Sequence, residues 1–367
     1  MSKRQINIYY TATSVFFVAV LLVPFVYTVL GIKQDSITNE KRAMAERPRL
    51  DINCLDCFPQ PFETYYNEHF CFRDQLIQLD AKIKYHLFNT SPVPDKVAIG
   101  SEGWLYLTGR FYEVDQDITR ENRFNEGALL ATISTWEARK KELNERHISY
   151  YHTVWPDKHY IYPEYLPPGM KLAQSTLPAR CDQTIEYLRD KKSVIHVIDV
   201  RPELLIEKNK QQLYYKNDSH WNTAGAFIAY TKLMEQIKTD FPDIKSLTKN
   251  DFNIHSEIRN GGDLSNMINI PLTDVEPIYT PKVDTFHTET LPVDNFPKKT
   301  EIYKTTNPIN KLRVLIYRDS FTTALLPFLK KTFGEIYLIW DTPYDVKMVD
   351  TIKPDIVIES YATRYFR

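Results

Sequence analysis

The sequence predicts an α/β domain built on a mostly parallel sheet flanked by helices, preceded by a single N-terminal membrane-spanning helix. Three observations predict it. Residues 5–32 hold no charged side chain and are mostly apolar. Beyond residue 145, short runs rich in Val, Ile, Leu and Tyr alternate with segments of helical period, the pattern of strand–helix units. Composition is that of an ordinary globular chain, with 43% hydrophobic and 25% charged residues over 367 positions.

The apolar segment IYYTATSVFFVAVLLVPFVYTVLGI exceeds the roughly 20 residues needed to cross about 30 Å of hydrocarbon. Lys3 and Arg4 precede it, so the positive-inside rule keeps the N-terminus in the cytoplasm and puts the remainder outside. Tyr9, Tyr10 and Tyr27 lie where interfacial rings are expected, and Pro24 is tolerated in such a helix. A cleaved signal peptide would have a shorter apolar core and a small-residue cleavage site, and Gly31-Ile32-Lys33 offers no clear one. A retained single-pass anchor is expected, with the folded part in a periplasm or at the cell surface. The expected organisation is residues 1–32 as cytoplasmic tip and anchor, 33–60 as juxtamembrane linker, and 61–367 as the folded domain.

Four cysteines suit an oxidising compartment. Cys54 and Cys57 form a C-x-x-C pair, with Cys71 near and Cys181 far, which reads as one or two disulfides among three connectivities. Zinc needs four ligands at matched spacing, and the chain has no second C-x-x-C. A net charge of −1 suggests no nucleic-acid partner. The 13% aromatic content suits stacking on sugar rings and suits core packing equally well.

Residues 65–88 have apolar positions at three- and four-residue steps and predict a helix. VAIGSEGWLYLTG predicts a hairpin around Gly100 and Gly103. Helices are expected over 126–146, 176–190 and 223–238, and strands over 148–155 and 195–200. Residues 240–310 are irregular, with short strands and proline turns. A strand over 313–317, a helix through 329, a strand over 335–340, a helix near 344–352 and a strand over 355–360 complete the pattern.

In RVLIYRDSFTTALLPFL, Asp319 and Ser320 sit where a parallel strand ends and a helix begins. Ligands of open α/β sheets bind at such ends, and helix-terminal N–H groups can hold an oxyanion. Either residue would equally serve as an N-cap. In YYKNDSHWNTAGAF, Asp218 and His220 stand two apart across Asn217-Asp218-Ser219, which is turn chemistry. A serine hydroxyl needs a base, and the base a carboxylate to fix its tautomer.

A strand-end D-S-F with an upstream D-x-H-W resembles the alginate O-acetyltransferase family of the AlgX/AlgJ type, an SGNH-hydrolase-like group. NEKRAMAERPRL, YYNEHFCFRDQLI, GSEGWLYL, WPDKHYIYPEYLP, GGDLSNM and PDIVIESYATRYF resemble further family segments in family order, from about residue 40 to the end. The resemblance implies an SGNH-like fold and O-acetylation of an exported polysaccharide. Ser320 carries over as nucleophile, His220 as base and Asp218 as orienting carboxylate. No cofactor is implied. The partners implied are the polysaccharide acceptor and a multi-pass membrane acyltransferase that passes acetyl outward.

Arg318 stands where the family's G-D-S block has glycine, so it either narrows the oxyanion pocket or touches substrate. Lys158, after the strand ending at Trp155, is expected either to bind an anionic sugar, to order the site, or to lie at the surface. Trp221 is a third substrate-contact candidate. Arg259-Asn260-Gly261-Gly262-Asp263 is expected as a tight loop that either approaches the site or, as Gly-Gly more often does, serves a structural turn. An acetyl esterase with the same three residues, and a catalytically silent sugar-binding subunit, are the alternative functions.

Overall fold

The computed structural model describes residues 3–30, 43–109, 113–195, 197–294, 296–340 and 343–366. Residues 31–33 and the linker as far as 42 lie outside the described residues. The chain divides into two compact units, Met1–Pro92 and Val93–Arg367.

In the first unit, a helix runs over Lys3–Val29. Its segment Arg4–Pro24 is long and apolar enough to cross a membrane, with mean hydropathy 1.9 and no buried share. The helix expected over 65–88 is two helices, Pro59–His69 and Arg73–Phe88. The break falls at Phe72, whose φ of 65° no α-helix accommodates. Cys54 and Cys57 are disulfide-bonded, whereas Cys71 and Cys181 are free and buried.

The second unit opens with the expected hairpin, β1 (Val97–Ile99) and β2 (Leu105–Leu107). Its sheet uses β3 (Ser149–Trp155), β4 (Val197–Asp199), β7 (His287–Leu291), β8 (Thr300–Thr306), β9 (Asn310–Arg318), β10 (Phe333–Trp340) and β11 (Ile356–Ala362). Between β4 and β7, β5 (Phe252–Asn260) and β6 (Thr273–Pro281) form a separate antiparallel ribbon. The sheet order is β4-β3-β11-β9-β10-β8-β7.

The first five strands in that order pair in parallel, and β8 and β7 add on antiparallel. The sheet is therefore mixed. The expected parallel core is present, and the antiparallel extension comes from the irregular stretch 240–310, whose short polar strands carry no long apolar run.

Period-2 alternation along β9 sends Leu315 and Tyr317 to one face and Val314 and Ile316 to the other, all fully buried. The first face packs with Ile133, Trp136 and Leu143 of the helix Glu126–Glu145, Leu188 of Arg180–Asp190 and Val349 of Val346–Ile352. The helix Glu126–Glu145 starts where the Asn125 side chain accepts the Ala128 N–H at 2.8 Å. On the other face Tyr151 of β3 donates its hydroxyl to Asp240, which ends the helix Thr223–Asp240. Cutting a side chain such as Leu315 back to Ala would cost about 2–5 kcal/mol. Parallel strands buried on both faces leave one place for polar chemistry, the carboxyl ends of β3, β11 and β9.

Candidate active site

β9 ends at Arg318, and the chain turns through Asp319 into a 3₁₀ turn over Ser320–Leu325 and a helix over Leu326–Thr332. Asp319 makes the turn. One carboxylate oxygen accepts the Phe321 N–H at 2.9 Å and the other accepts the Ala362 N–H at 2.6 Å, which ties this turn to the end of β11. Burial pushes its carboxyl up to about 6, against the pull of those N–H groups and of Arg364. Of the two N-cap candidates, Asp319 takes that place, and the hydroxyl of Ser320 is left to other contacts.

The Ser320 Oγ lies 2.7 Å from His220 Nε2. His220 Nδ1 lies 2.7 Å from Asp218 Oδ1, and the same oxygen accepts the His220 backbone N–H at 3.1 Å. One carboxylate oxygen thus closes the Asp218-Ser219-His220 turn and holds the imidazole, which is how residues only two apart meet. The turn sits in a loop pinched by a bridge between Tyr214 and Trp221 and followed by the helix Thr223–Asp240, capped by Asn222 onto the Gly225 N–H.

The second oxygen of Asp218 accepts from Arg259 Nη2 at 2.9 Å and from the Asp263 N–H at 3.2 Å. Burial alone would raise the Asp218 carboxyl. The hydrogen bond and charge of His220, with those of Arg259, hold it well below the usual carboxylate range. Asp263 in turn accepts from the Ser219 backbone N–H and hydroxyl and stands 3.6 Å from His220 Nδ1. Burial and the neighbouring charge of Asp218 raise it.

Arg259 and Asp263 arrive from the end of β5, so of the two expectations for their loop, approach to the site and a structural turn, the segment meets both. Gly261 takes φ +76°, and a Cβ on Gly262 would meet the Asn217 carbonyl at 2.3 Å. The glycine pair does serve a backbone need, and that need is to press this turn onto the Asp218 loop. The cue in the sequence was two charged side chains flanking Gly-Gly.

The three other candidates fall elsewhere. Lys158 is buried at 4% exposure, with Nζ donating to the carbonyls of Leu105 at 2.8 Å and Lys216 at 3.2 Å. It therefore joins the β1–β2 hairpin to the Asp218 loop. Burial lowers its amine to about 7, against the pull of Asp263, Asp218 and Asp274. Trp221 is 1% exposed, and its indole N–H donates to the Phe321 carbonyl at 3.1 Å, so it braces the Ser320 turn and has no open face for a sugar ring. Arg318 is 2% exposed, bonds Glu301 at 2.7 Å and Thr323 at 2.8 Å, and stacks on Trp340 at 4.3 Å. Its guanidinium is directed to β8 and the turn, away from the Ser320–His220–Asp218 chain.

Ligand-type atoms of Asp218, His220 and Asp263 lie within 4.8 Å of one another. Each is already engaged, Nδ1 with Asp218 and the Asp263 carboxylate with Ser219, so the arrangement reads as a hydrogen-bonded chain ending at a hydroxyl. Chemically it can take a proton from Ser320 and stabilise the imidazolium that results.

The family model for the SGNH hydrolase-like domain of the acetyltransferase AlgX matches residues 97–335, well over half of the chain and all the residues just described from Lys158 to Ser320. Among solved structures, PatB1 of Bacillus cereus is similar at 16% identity and TM-score 0.54, over 74% of this chain and 97% of that one. The same protein with a sulfonyl adduct is similar at 16% identity and TM-score 0.52, over the same shares. The O-acetyltransferase domain of Pseudomonas putida AlgJ is similar at 17% identity and TM-score 0.44, over 74% and 92%. At such identities the likeness to PatB1 is one of fold. No curated protein matches in sequence.

Proposed function

Since the chain belongs to the family of SGNH hydrolase-like acetyltransferase domains of the AlgX type, we propose that it is an extracytoplasmic O-acetyltransferase acting on hydroxyls of an exported polysaccharide through a serine acyl-enzyme. The observation that carries the reading is the unbroken chain Ser320–His220–Asp218, with both links at 2.7 Å.

Ser320 Oγ attacks the carbonyl carbon of the acetyl donor while its proton passes to His220 Nε2. The oxyanion forms at the head of the 3₁₀ turn, where Asp319 has taken the Phe321 N–H and the Ser320 backbone N–H is the donor this reading assigns to it. His220 returns the proton to the leaving group, and acetyl stays on Ser320. A sugar hydroxyl then attacks, His220 takes its proton, and collapse releases the sugar ester and gives the proton back to Ser320. Asp218, kept ionised by His220 and Arg259, fixes the tautomer and carries the opposing charge in both halves.

Residues 1–32 serve as a retained anchor with Lys3 and Arg4 in the cytoplasm, 33–60 connect it, and 61–367 stand on the extracytoplasmic side. The apolar helix supports this organisation. Acetyl made in the cytoplasm then requires a multi-pass membrane acyltransferase to deliver it.

The test uses the full-length protein with a chromogenic acetyl ester and an oligosaccharide. Acetylated sugar is expected, and Ser320→Ala should remove it together with ester turnover. Free acetate as the sole product would make the protein an esterase. Tight sugar binding without turnover would make it a silent binding subunit, and unchanged turnover in Ser320→Ala would exclude Ser320 as nucleophile.

A further inference from the structure

The helix Arg73–Phe88 has its amphipathic character inverted. Leu76, Leu79, Ile83 and Leu87 recur at steps of three and four and make one stripe, yet they are 39–75% exposed. The face turned inward carries Gln78, Ala81 and Tyr85, of which Ala81 alone is fully buried. A helix of a water-soluble domain does the reverse, because its apolar stripe is what burial stabilises. Phe88, at the end of the same helix, is exposed as well.

A ring contact points to what covers this stripe. Phe72, the residue before the helix, packs against Tyr27 with ring centroids 5.3 Å apart. Tyr27 lies three residues beyond the candidate span Arg4–Pro24, at the level where a tyrosine meets the membrane–water boundary. The helix thus starts where the span leaves the hydrocarbon. At 1.5 Å per residue its 16 residues run about 24 Å from that point. The start of the stripe is therefore within reach of the outer leaflet. Lys82, exposed on the flank of the stripe, is placed to extend its ammonium to lipid phosphates.

We propose that Arg73–Phe88 is an interfacial helix, lying on the outer membrane surface with Leu76, Leu79, Ile83 and Leu87 in the boundary between headgroups and acyl chains. The inference rests on the reading of residues 1–32 as a retained anchor. It goes beyond the family match, which begins at residue 97 and gives this helix no role.

The test places a photoreactive phenylalanine analogue at Leu79, at Ile83 or, as a control within the span, at Val15, in the full-length protein in phosphatidylcholine–phosphatidylglycerol vesicles. The same probe at Glu145, exposed on the catalytic unit, sets the background. Unaltered acetyl-ester turnover shows that each variant is folded. Lipid adducts several-fold above background at Leu79, Ile83 and Val15 are expected. Adducts at Val15 with only background at Leu79 and Ile83 would overturn the interfacial helix and leave the anchor standing. Adducts from Leu79 and Ile83 to a protein in place of lipid, in cell membranes, would overturn it in favour of a partner groove. Background at every position, Val15 included, would overturn the anchor reading and this inference with it.

Discussion

Two loops meet at Ser320, each with a buried aspartate, and the molecule treats the two carboxylates in opposite ways. In the loop around residues 214–221, Asp218 faces two cationic or proton-bearing partners, His220 and Arg259, and is held well below the usual carboxylate range. In the turn after β9, Asp319 accepts backbone N–H groups from Phe321 and Ala362, and burial lifts it to about 6 against their pull and that of Arg364. The same side chain serves as a standing charge in one place and as a neutralisable strap in the other. What separates them is a cation bonded directly to the carboxylate, since both are nearly out of water and the pull of Arg364 on Asp319 does not offset its burial. Adjacency to the serine in sequence is thus a poor guide to which aspartate works on the imidazole; a cation on the far oxygen is a better one.

Four variants sharpen or break this contrast. The largest effect is expected of His220→Ala, which should lower kcat for acetyl transfer by about 10⁴–10⁶ with the fold retained. Near-normal turnover with an unchanged circular dichroism spectrum would end the case for a base at this position. Asp218→Asn keeps the shape and removes the charge, so a loss of about 10⁴ in kcat is expected. If Asp319→Asn proves the more damaging of the two to kcat, the roles assigned here to the two loops are reversed.

Asp319 should reveal itself in stability. Its folded value near 6 lies above the ordinary carboxylate value of about 3.9, so the folded state binds the extra proton between them. That contribution is fully present below about pH 4 and is lost as pH rises through about 6. Across this window the wild type should lose about 2–3 kcal/mol relative to Asp319→Asn. Parallel denaturation curves for the two proteins from pH 4 to 7 would contradict this.

The smallest effect is expected of Arg259→Met. It removes one charged hydrogen bond to Asp218, worth about 1.5–3 kcal/mol or ten- to a hundredfold in kcat, with KM little changed. Arg259→Lys should restore part of it. A rise in KM alone would move Arg259 from positioning the carboxylate to holding substrate.

The contrast also marks what could be read without a fold. Periodicity and turn chemistry are local, so the parallel strands, their helices and the charge-free segment 5–32 were legible residue by residue. So were the two short patterns that hold Ser320 and the Asp218–His220 turn, because a D-x-H that bends back on itself needs only its own three residues. Lys158, Trp221 and Arg318 were singled out for their chemistry, but burial decides how each is used, and burial belongs to the packed chain. The same holds for the cysteines, where Cys54 joined Cys57 while Cys71 and Cys181 were buried as free thiols. β7 and β8 joined the sheet through backbone pairing with β10, which short polar strands do not announce. Arg259 and Asp263 reach Asp218 across 41 and 45 residues, through a glycine turn that no local signal aims. The chemical groups were written in the chain itself; which of them lost water, and which found a counter-charge, was settled only when distant segments packed.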